Sequence, residues 1–393
     1  MQYIFTLGSN PDLSIAEISA FFNNKKINLL NNNILILESE KELDVNNIIK
    51  KLGGTIKIGL VEKNIINDRE EIIKTCEEII DQKIEKNNST GKFHFGLSYY
   101  SSKKNNIKPI AMEIKKYLRS KKISCRWVDS RDSILSSVVV EQNKLLKNGI
   151  EIIIIKNNNR LIIGKTLAVQ PFKKLSFRDY GRPARDDKSG MIPPKLALIM
   201  LNLAQVEHKD IILDPFCGSG TIITEAMLCG YKNIIGSDIS QKAINDTNEN
   251  IKWTKNNFDI NIANIRTYNQ PADKISKNIK PNSINAIITE PYLGPQRGKI
   301  NIQKTISELE KLYTNALIEF KKILKSDGKI VMIWPCFVSQ DKKDSCDFIN
   351  PKINGYKIIN INNNKTTSNR GIIYGREGQK VWREIVVLKL YEN

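Results

Sequence analysis

Histidine is almost missing from this chain: His94 and His208 are the only two in 393 residues. Cysteine is sparse and scattered, at 76, 125, 217, 229, 336 and 346, with no CxxC pair. Neither a disulfide framework nor a zinc-ligand spacing follows from that distribution, so no metal site is expected and a reducing cytoplasm is the expected home. His94 alternates with Phe93 and Phe95 and takes the opposite strand face, and His208 sits in a polar connector, so neither carries visible chemistry. No unbroken apolar stretch reaches membrane-spanning length, which reads as a soluble chain without membrane partners. The opening MQYIFTLGSNPDLSIAE lacks a basic region, a long apolar stretch and a small-residue cleavage site, so no secretory signal is expected. Acid is also short against base: 42 Asp and Glu face 61 Lys and Arg, a formal net charge of +19. Such a field draws a polyanion from solution and strengthens phosphate contacts. The chain is equally rich in Ile, Asn and Lys, a composition that supplies some lysines without function.

What is present is a turn. The apolar run Ile211-Ile212-Leu213 leads into DPFCGSG, Asp214 to Gly220, and then into TIITEAML. That order reads strand, acidic-then-glycine turn, helix, and lets a ligand lie against bare backbone at a helix N-terminus. Asp214, Pro215, Phe216, Cys217, Gly218, Gly220 and Thr221 are the candidate contacts. A second acid, Asp238, ends the next apolar run, IIGSD, with Ile239 after it. The separation of 24 residues is about what one strand–helix–strand unit needs to return a carboxylate beside the turn to meet ribose hydroxyls. Only two glycines occur where a dinucleotide fingerprint needs three. Further on, the strand-like INAIIT runs into TEPYLGP, Thr289 to Pro295.

The rest of the chain divides at two places. Residues 1–62 alternate short strands and helices in a β-α-β-β-α-β pattern, with Ser14 and Glu17 spaced as a capping box. Residues 63–172 give a charged helix REEIIKTCEEIIDQKIEK, the strand KFHFGLSYY, the helix IAMEIKKYLRSKK and further strands. Lys103, Lys104, Lys115, Lys116, Lys121, Lys122 and Arg126 are candidates for a basic face there. Residues 173–393 open on the lead-in FRDYGRPARDDKSGMIPPKLALIMLNLA and then carry the site. Arg178, Arg182 and Arg185 in that lead-in either steer a phosphate backbone or pair with Asp179, Asp186 and Asp187.

On DPFCGSG, Asp238, TEPYLGP and the lead-in, the chain resembles the class I S-adenosylmethionine-dependent methyltransferases that act on exocyclic amines of bases. In particular it resembles the RNA methylases that carry THUMP domains, of the tRNA guanosine-10 N2-methyltransferase group. The resemblance implies an α/β architecture: a C-terminal Rossmann-like domain, 173–393, with a seven-stranded mixed sheet whose last strand is antiparallel. It implies α+β N-terminal domains, ferredoxin-like over 1–62 and THUMP-like and RNA-binding over 63–172. S-adenosyl-L-methionine is the implied cofactor and tRNA, or another structured RNA, the implied partner; an activator subunit is left open. By the same likeness, Gly190, Met191, Pro193, Pro194 and Lys195 lie over the methionine end. Pro271 stands where the family places an acid for adenine, so Asp273 or Gln270 is the expected substitute.

The loop TEPY departs from the family's (D/N)PP(Y/F). Thr289 stands for the acid or amide and Glu290 for the first proline, while Pro291 offers a carbonyl and Tyr292 a ring to stack on the base. A threonine hydroxyl is a weaker acceptor than a carboxylate. Either Glu290 supplies the acceptor, or the target is not the usual guanine amine, or the protein binds without catalysis. Gln296 and Arg297 extend the loop, the latter as a phosphate contact or as a plain exposed arginine. Methylation of ribosomal RNA, methylation of DNA adenine and silent RNA binding stand as the alternatives to tRNA guanine-N2 methylation.

Overall fold

The computed structural model describes residues 1–23, 25–86, 91–102, 105–185, 190–258, 260, 264–295, 298, 301–338, 346–361 and 370–391. They fall into two compact units: Met1–Pro11, Asn24–Lys51 and Thr55–Phe172 in one, Asp12–Asn23, Leu52–Gly54 and Lys173–Asn393 in the other. Of the basic residues proposed from sequence, Lys103 and Lys104 lie outside the described residues.

In chain order the first part holds β1 (Gln2–Leu7), α1 (Pro11–Phe21), β2 (Ile27–Asn31), β3 (Ile34–Glu38), α2 (Val45–Lys51) and β4 (Thr55–Ile66). It continues with α3 (Arg69–Glu85), β5 (Phe93–Tyr100), α4 (Lys108–Ser120), β6 (Cys125–Val128), α5 (Ser137–Gln142), β7 (Gly149–Asn157) and β8 (Arg160–Val169). One sheet, ordered β2-β3-β1-β4-β8-β7-β5-β6, runs through the whole unit. The boundary expected between 62 and 63 therefore falls inside β4, which runs unbroken from Thr55 to Ile66. Apolar residues of α3 and α4, among them Ile79 and Ile114, pack on Phe95, Ile152 and Ile154 of the sheet. On the sheet sits a fully buried ion pair, Lys57 with Glu151 at 2.5 Å. Ser98 and Thr166 donate to the same carboxylate, and Lys57 also donates to the Leu135 carbonyl. Such a pair persists in a dry interior only because every charge is matched. His94 donates through Nδ1–H to the Asn143 carbonyl at 3.0 Å, a structural role.

The second unit contains α1 and the Leu52–Gly54 tripeptide. It adds α6 (Phe172–Tyr180), α7 (Pro194–Ala204), β9 (Ile211–Asp214), α8 (Thr221–Cys229), β10 (Asn233–Asp238), α9 (Gln241–Phe258) and β11 (Asn264–Asn269). After a 3-10 turn at Ala272–Lys277 come β12 (Ile284–Thr289), α10 (Ile302–Ile323), β13 (Leu324–Val338), β14 (Cys346–Phe348), β15 (Tyr356–Ile359), β16 (Ile372–Tyr374) and β17 (Val381–Leu390). The sheet order is β11-β10-β9-β12-β13-β17-β15, with β14 added on β13 and β16 on β17. It thus has nine strands rather than the expected seven, because Cys346–Phe348 and Ile372–Tyr374 each add a short strand. The last strand, β17, is antiparallel to both β13 and β15, as expected. Parallel neighbours need crossovers, and α8, α9 and α10 supply them. Buried on both faces, β9, β10, β12 and β13 read as continuous apolar runs rather than alternations.

The capping box expected at Ser14 and Glu17 is not formed. The helix starts earlier, at Pro11, and both residues lie buried inside it. Ser14 donates to the Gly54 carbonyl at 2.9 Å. Glu17 accepts from the amides of Gly53 and Gly54 at 2.7 and 2.8 Å and from Asn202 of α7 at 2.8 Å. Burial pushes its carboxyl up to about 7 against those three donors.

Candidate active site

The parallel register sets Asp214 beside Gly236 and Leu213 beside Ile287, so β9, β10 and β12 all end at one edge of the sheet. Ligands of open α/β sheets bind beyond this edge. Asp214, Asp238 and Thr289 are the last residues of the three strands.

The turn after β9 is built from glycine conformations and capped by side chains. Gly218 and Gly220 take φ of 52° and 82°. A Cβ on Gly220 would also stand 2.9 Å from Thr247 Cγ2. Thr247 donates to the Gly218 carbonyl at 2.7 Å. Asn250, one turn along α9, donates to the carbonyls of Ser219 and Ala184 and accepts from the Ala184 amide. It therefore ties the lead-in to the turn. Gly218 donates its amide to Asp238 Oδ2 at 3.0 Å, and Ser240 donates to Oδ1 at 2.8 Å. These bonds orient the Asp238 carboxylate and leave it lone pairs for further donors. Cys217 is buried, and burial raises its thiol, so it packs rather than reacts.

A cavity of about 540 Å³ opens at this edge, within the range of small-molecule sites. Of the expected cofactor contacts, Asp214, Pro215, Phe216, Cys217, Gly218, Thr221, Asp238, Ile239 and Asp273 line it. Gly220 and Pro193 do not. Gly220 is the N-cap of α8 and Pro193 the N-cap of α7, while their neighbours Gly190, Met191 and Ile192 reach the wall instead. Gln270 turns away, its side chain bonded to the Lys274 carbonyl and to Asn278. Asp273, with Pro271 and Ala272, remains at the wall.

Two residues of the TEPY loop face opposite ways. Thr289 is fully buried and donates its hydroxyl to Asp214 Oδ1 at 2.7 Å. It is not part of the cavity wall, because its hydroxyl is spent on the strand-end carboxyl. Burial raises that Asp214 carboxyl up to about 7, while the Thr289 bond and the Phe216 amide pull the other way. Glu290 faces the cavity, and its Oε1 accepts from Arg383 Nε of β17 at 2.5 Å. Pro291 and Tyr292 also line the wall, and the Tyr292 ring is 54% exposed, free to meet a flat ligand. Tyr313 of α10 donates to the Tyr292 carbonyl at 3.0 Å; burial keeps its phenol protonated for that purpose. Gln296 and Arg297 lie outside the described residues.

The lead-in arginines pair mostly beyond the partners expected. Arg178 grips Glu225 of α8 through two bonds, 2.6 and 2.9 Å. Arg182 is buried and donates to Thr221, with Asp179 at 3.9 Å. Arg185 stacks 5.1 Å over the Tyr180 ring. Asp186 and Asp187 lie outside the described residues. Sequence reading missed Arg383, Asn250, Thr247 and Tyr313. None stands in a motif; each is supplied by a distant strand or helix. His208, as expected, is remote from the chemistry, edge-on to Tyr231 at 5.4 Å.

A family model described as an RMKL-like methyltransferase domain matches residues 182–338, and one described as a DNA methylase matches residues 51–249. The tRNA (guanine(10)-N2)-dimethyltransferase of Methanothermobacter thermautotrophicus is 31% identical over 186 residues, 46% of this chain and 49% of the relative. That of Methanocaldococcus jannaschii is 32% identical over 152 residues, 39% of this chain and 40% of the relative. A probable tRNA (guanine(10)-N2)-dimethyltransferase of Methanothermococcus thermolithotrophicus is 32% identical over 139 residues, 35% of this chain and 77% of the relative. The chain thus spans about half the length, or less, of the first two relatives. The crystal structure of TrmN from Thermus thermophilus superposes with a TM-score of 0.56 at 14% identity over the whole of both chains, a likeness of fold.

Proposed function

The chain belongs to the methyltransferase family of these relatives, and from that membership we propose that it methylates the exocyclic N2 amine of a guanosine in tRNA. S-adenosylmethionine, when bound, supplies a methyl group already activated on a sulfonium. The wall fits such a cofactor: an oriented carboxylate at Asp238 for ribose hydroxyls, the bare Gly218 backbone, the exposed apolar Ile239, and Asp273 for an adenine amine. The carboxylates of Asp238 and Glu290 suit its positive charge.

An exocyclic amine is a poor nucleophile because its lone pair is drawn into the ring. Acceptors aimed at its N–H bonds localise that lone pair and stabilise the charge that develops. Thr289 is committed to Asp214, so Glu290 carries this role, with the Pro291 carbonyl as a second acceptor and Tyr292 as the stacking surface. The orientation of Glu290 into the cavity is the observation that carries the reading. As the amine gains a methyl it sheds one proton, which the Glu290 carboxylate passes to solvent. A guanine in a stem must leave its stack to reach this wall.

The first unit, with its continuous sheet and the basic residues of α4, is the proposed RNA-docking part, THUMP-like in organisation. Methylation of an amine in DNA is the second reading, favoured by the DNA methylase match over 51–249. Incubation with labelled cofactor and either tRNA or duplex DNA separates them. Label that survives RNase and appears only with DNA overturns the tRNA reading. Glu290→Ala is expected to lower the rate by about 100-fold or more; an unchanged rate removes Glu290 from the mechanism.

A further inference from the structure

Arg383 lies far along the chain from TEPY, yet the sheet brings it to the same wall. It stands on β17 opposite Pro335 of β13, and its Nε donates to Glu290 Oε1. Both side chains are mostly enclosed, Arg383 13% and Glu290 12% exposed. The other cation on the wall, Lys242, is 76% exposed and paired with Asp246 along α9. Arg383 is therefore the enclosed cation on the TEPY side of the cavity. Only its Nε is engaged among the described residues, which leaves the terminal guanidinium N–H groups for a ligand.

We propose that Glu290 and Arg383 form one base-reading edge: the carboxylate takes the N1–H and N2–H of guanine, and the guanidinium donates to O6. This rests on the methyltransferase reading above and adds to it a reason for guanine. Starting at the amine to be methylated, guanine presents donor, donor, acceptor. Adenine presents donor, acceptor and a bare C–H; cytosine presents donor, acceptor, acceptor. A carboxylate beside the amine meets a second donor only in guanine, and meets a ring lone pair in the other two. A guanidinium at the third place meets an acceptor in guanine and nothing in adenine. Mismatched bases leave enclosed polar groups unpaired, and such groups discriminate strongly.

The test is an internal competition. An unmodified tRNA transcript is made from mixed GTP and 6-thio-GTP, methylated with labelled S-adenosylmethionine, digested, and the methylated nucleosides are compared by mass spectrometry. Sulfur is a poor acceptor, so the wild type is expected to favour guanosine over 6-thioguanosine by about 10-fold. Arg383→Ala is expected to slow methylation by about 10- to 100-fold and to bring that preference close to parity. Arg383→Lys, which keeps the charge and a donor, is expected to recover part of both. The ratio does not depend on the fraction of folded protein, and cofactor affinity measured by equilibrium dialysis is expected to stay within about twofold. A wild-type preference that persists in Arg383→Ala, or a wild type already at parity, overturns the O6 contact while leaving the methyltransferase intact. Label found by the wild type in adenosine or cytidine overturns the guanine reading itself, and this assignment with it.

Discussion

Asp214 is the residue whose surroundings most constrain the site. Its carboxyl lies buried between the glycine turn after β9 and the TEPY loop, and burial lifts it from its ordinary 3.8 up to about 7. An acid whose folded value lies above its unfolded one holds a proton that the unfolded chain has released. Stability of the ligand-free protein therefore falls as pH rises from about 4 to about 7. Asp214→Asn keeps the acceptor for Thr289 and removes the titration, so the urea midpoint of the variant is expected to fall less between pH 5 and pH 8. A variant whose midpoint falls as steeply as the wild type's places the titration elsewhere. Gly220 fixes the other side of the turn. Gly220→Ala meets both a positive φ and Thr247, and is expected to cost about 1–3 kcal/mol of stability, with weaker cofactor binding, by thermal melting and calorimetry. Both residues were legible in sequence, because an acid before glycines after a strand is a local pattern. The direction of Thr289 was not: a threonine at a strand end faces its neighbour or the ligand according to a register that only the folded sheet sets.

Among elements, α1 shows how far local reading goes. The spacing of Ser14 and Glu17 suggests a cap at its start. The same two polar residues instead bind the Gly53–Gly54 backbone, because that tripeptide lies against α1 and offers donors that a helix start does not. Glu17→Ala strands two buried amides and is expected to destabilise the protein by about 2–4 kcal/mol, read as a lower urea midpoint. In the first unit, nothing in the sequence around Lys57 marks its partner Glu151, nearly a hundred residues on. Lys57→Met leaves that carboxylate buried and unpaired, and the expected loss is about 3–5 kcal/mol by the same measurement. The short strands β14 and β16 escaped notice for a related reason: three residues carry no period, and only pairing with β13 and β17 defines them.

At the scale of the whole molecule, the parallel order of β9, β10 and β12 is what turns three separated motifs into one wall. The sequence pattern of alternating strands and helices was enough to anticipate that edge, since right-handed crossovers leave few other arrangements. Arg383 reaches that wall only because β17 inserts antiparallel beside β13. Among the described residues no helix is long and apolar enough to cross a membrane. The net charge of +19 belongs to this scale too. Affinity for tRNA is expected to fall steeply between about 50 and 200 mM salt, as released counterions require, while cofactor affinity changes little. Filter binding and calorimetry at matched salt check the contrast. The central claim is tested most directly by identifying the methylated nucleoside. Unmodified tRNA incubated with labelled S-adenosylmethionine and the protein is digested and resolved by mass spectrometry. Label as N2-methylated guanosine, lost with Glu290→Ala, is the predicted result; label in another base, or none in tRNA, contradicts it.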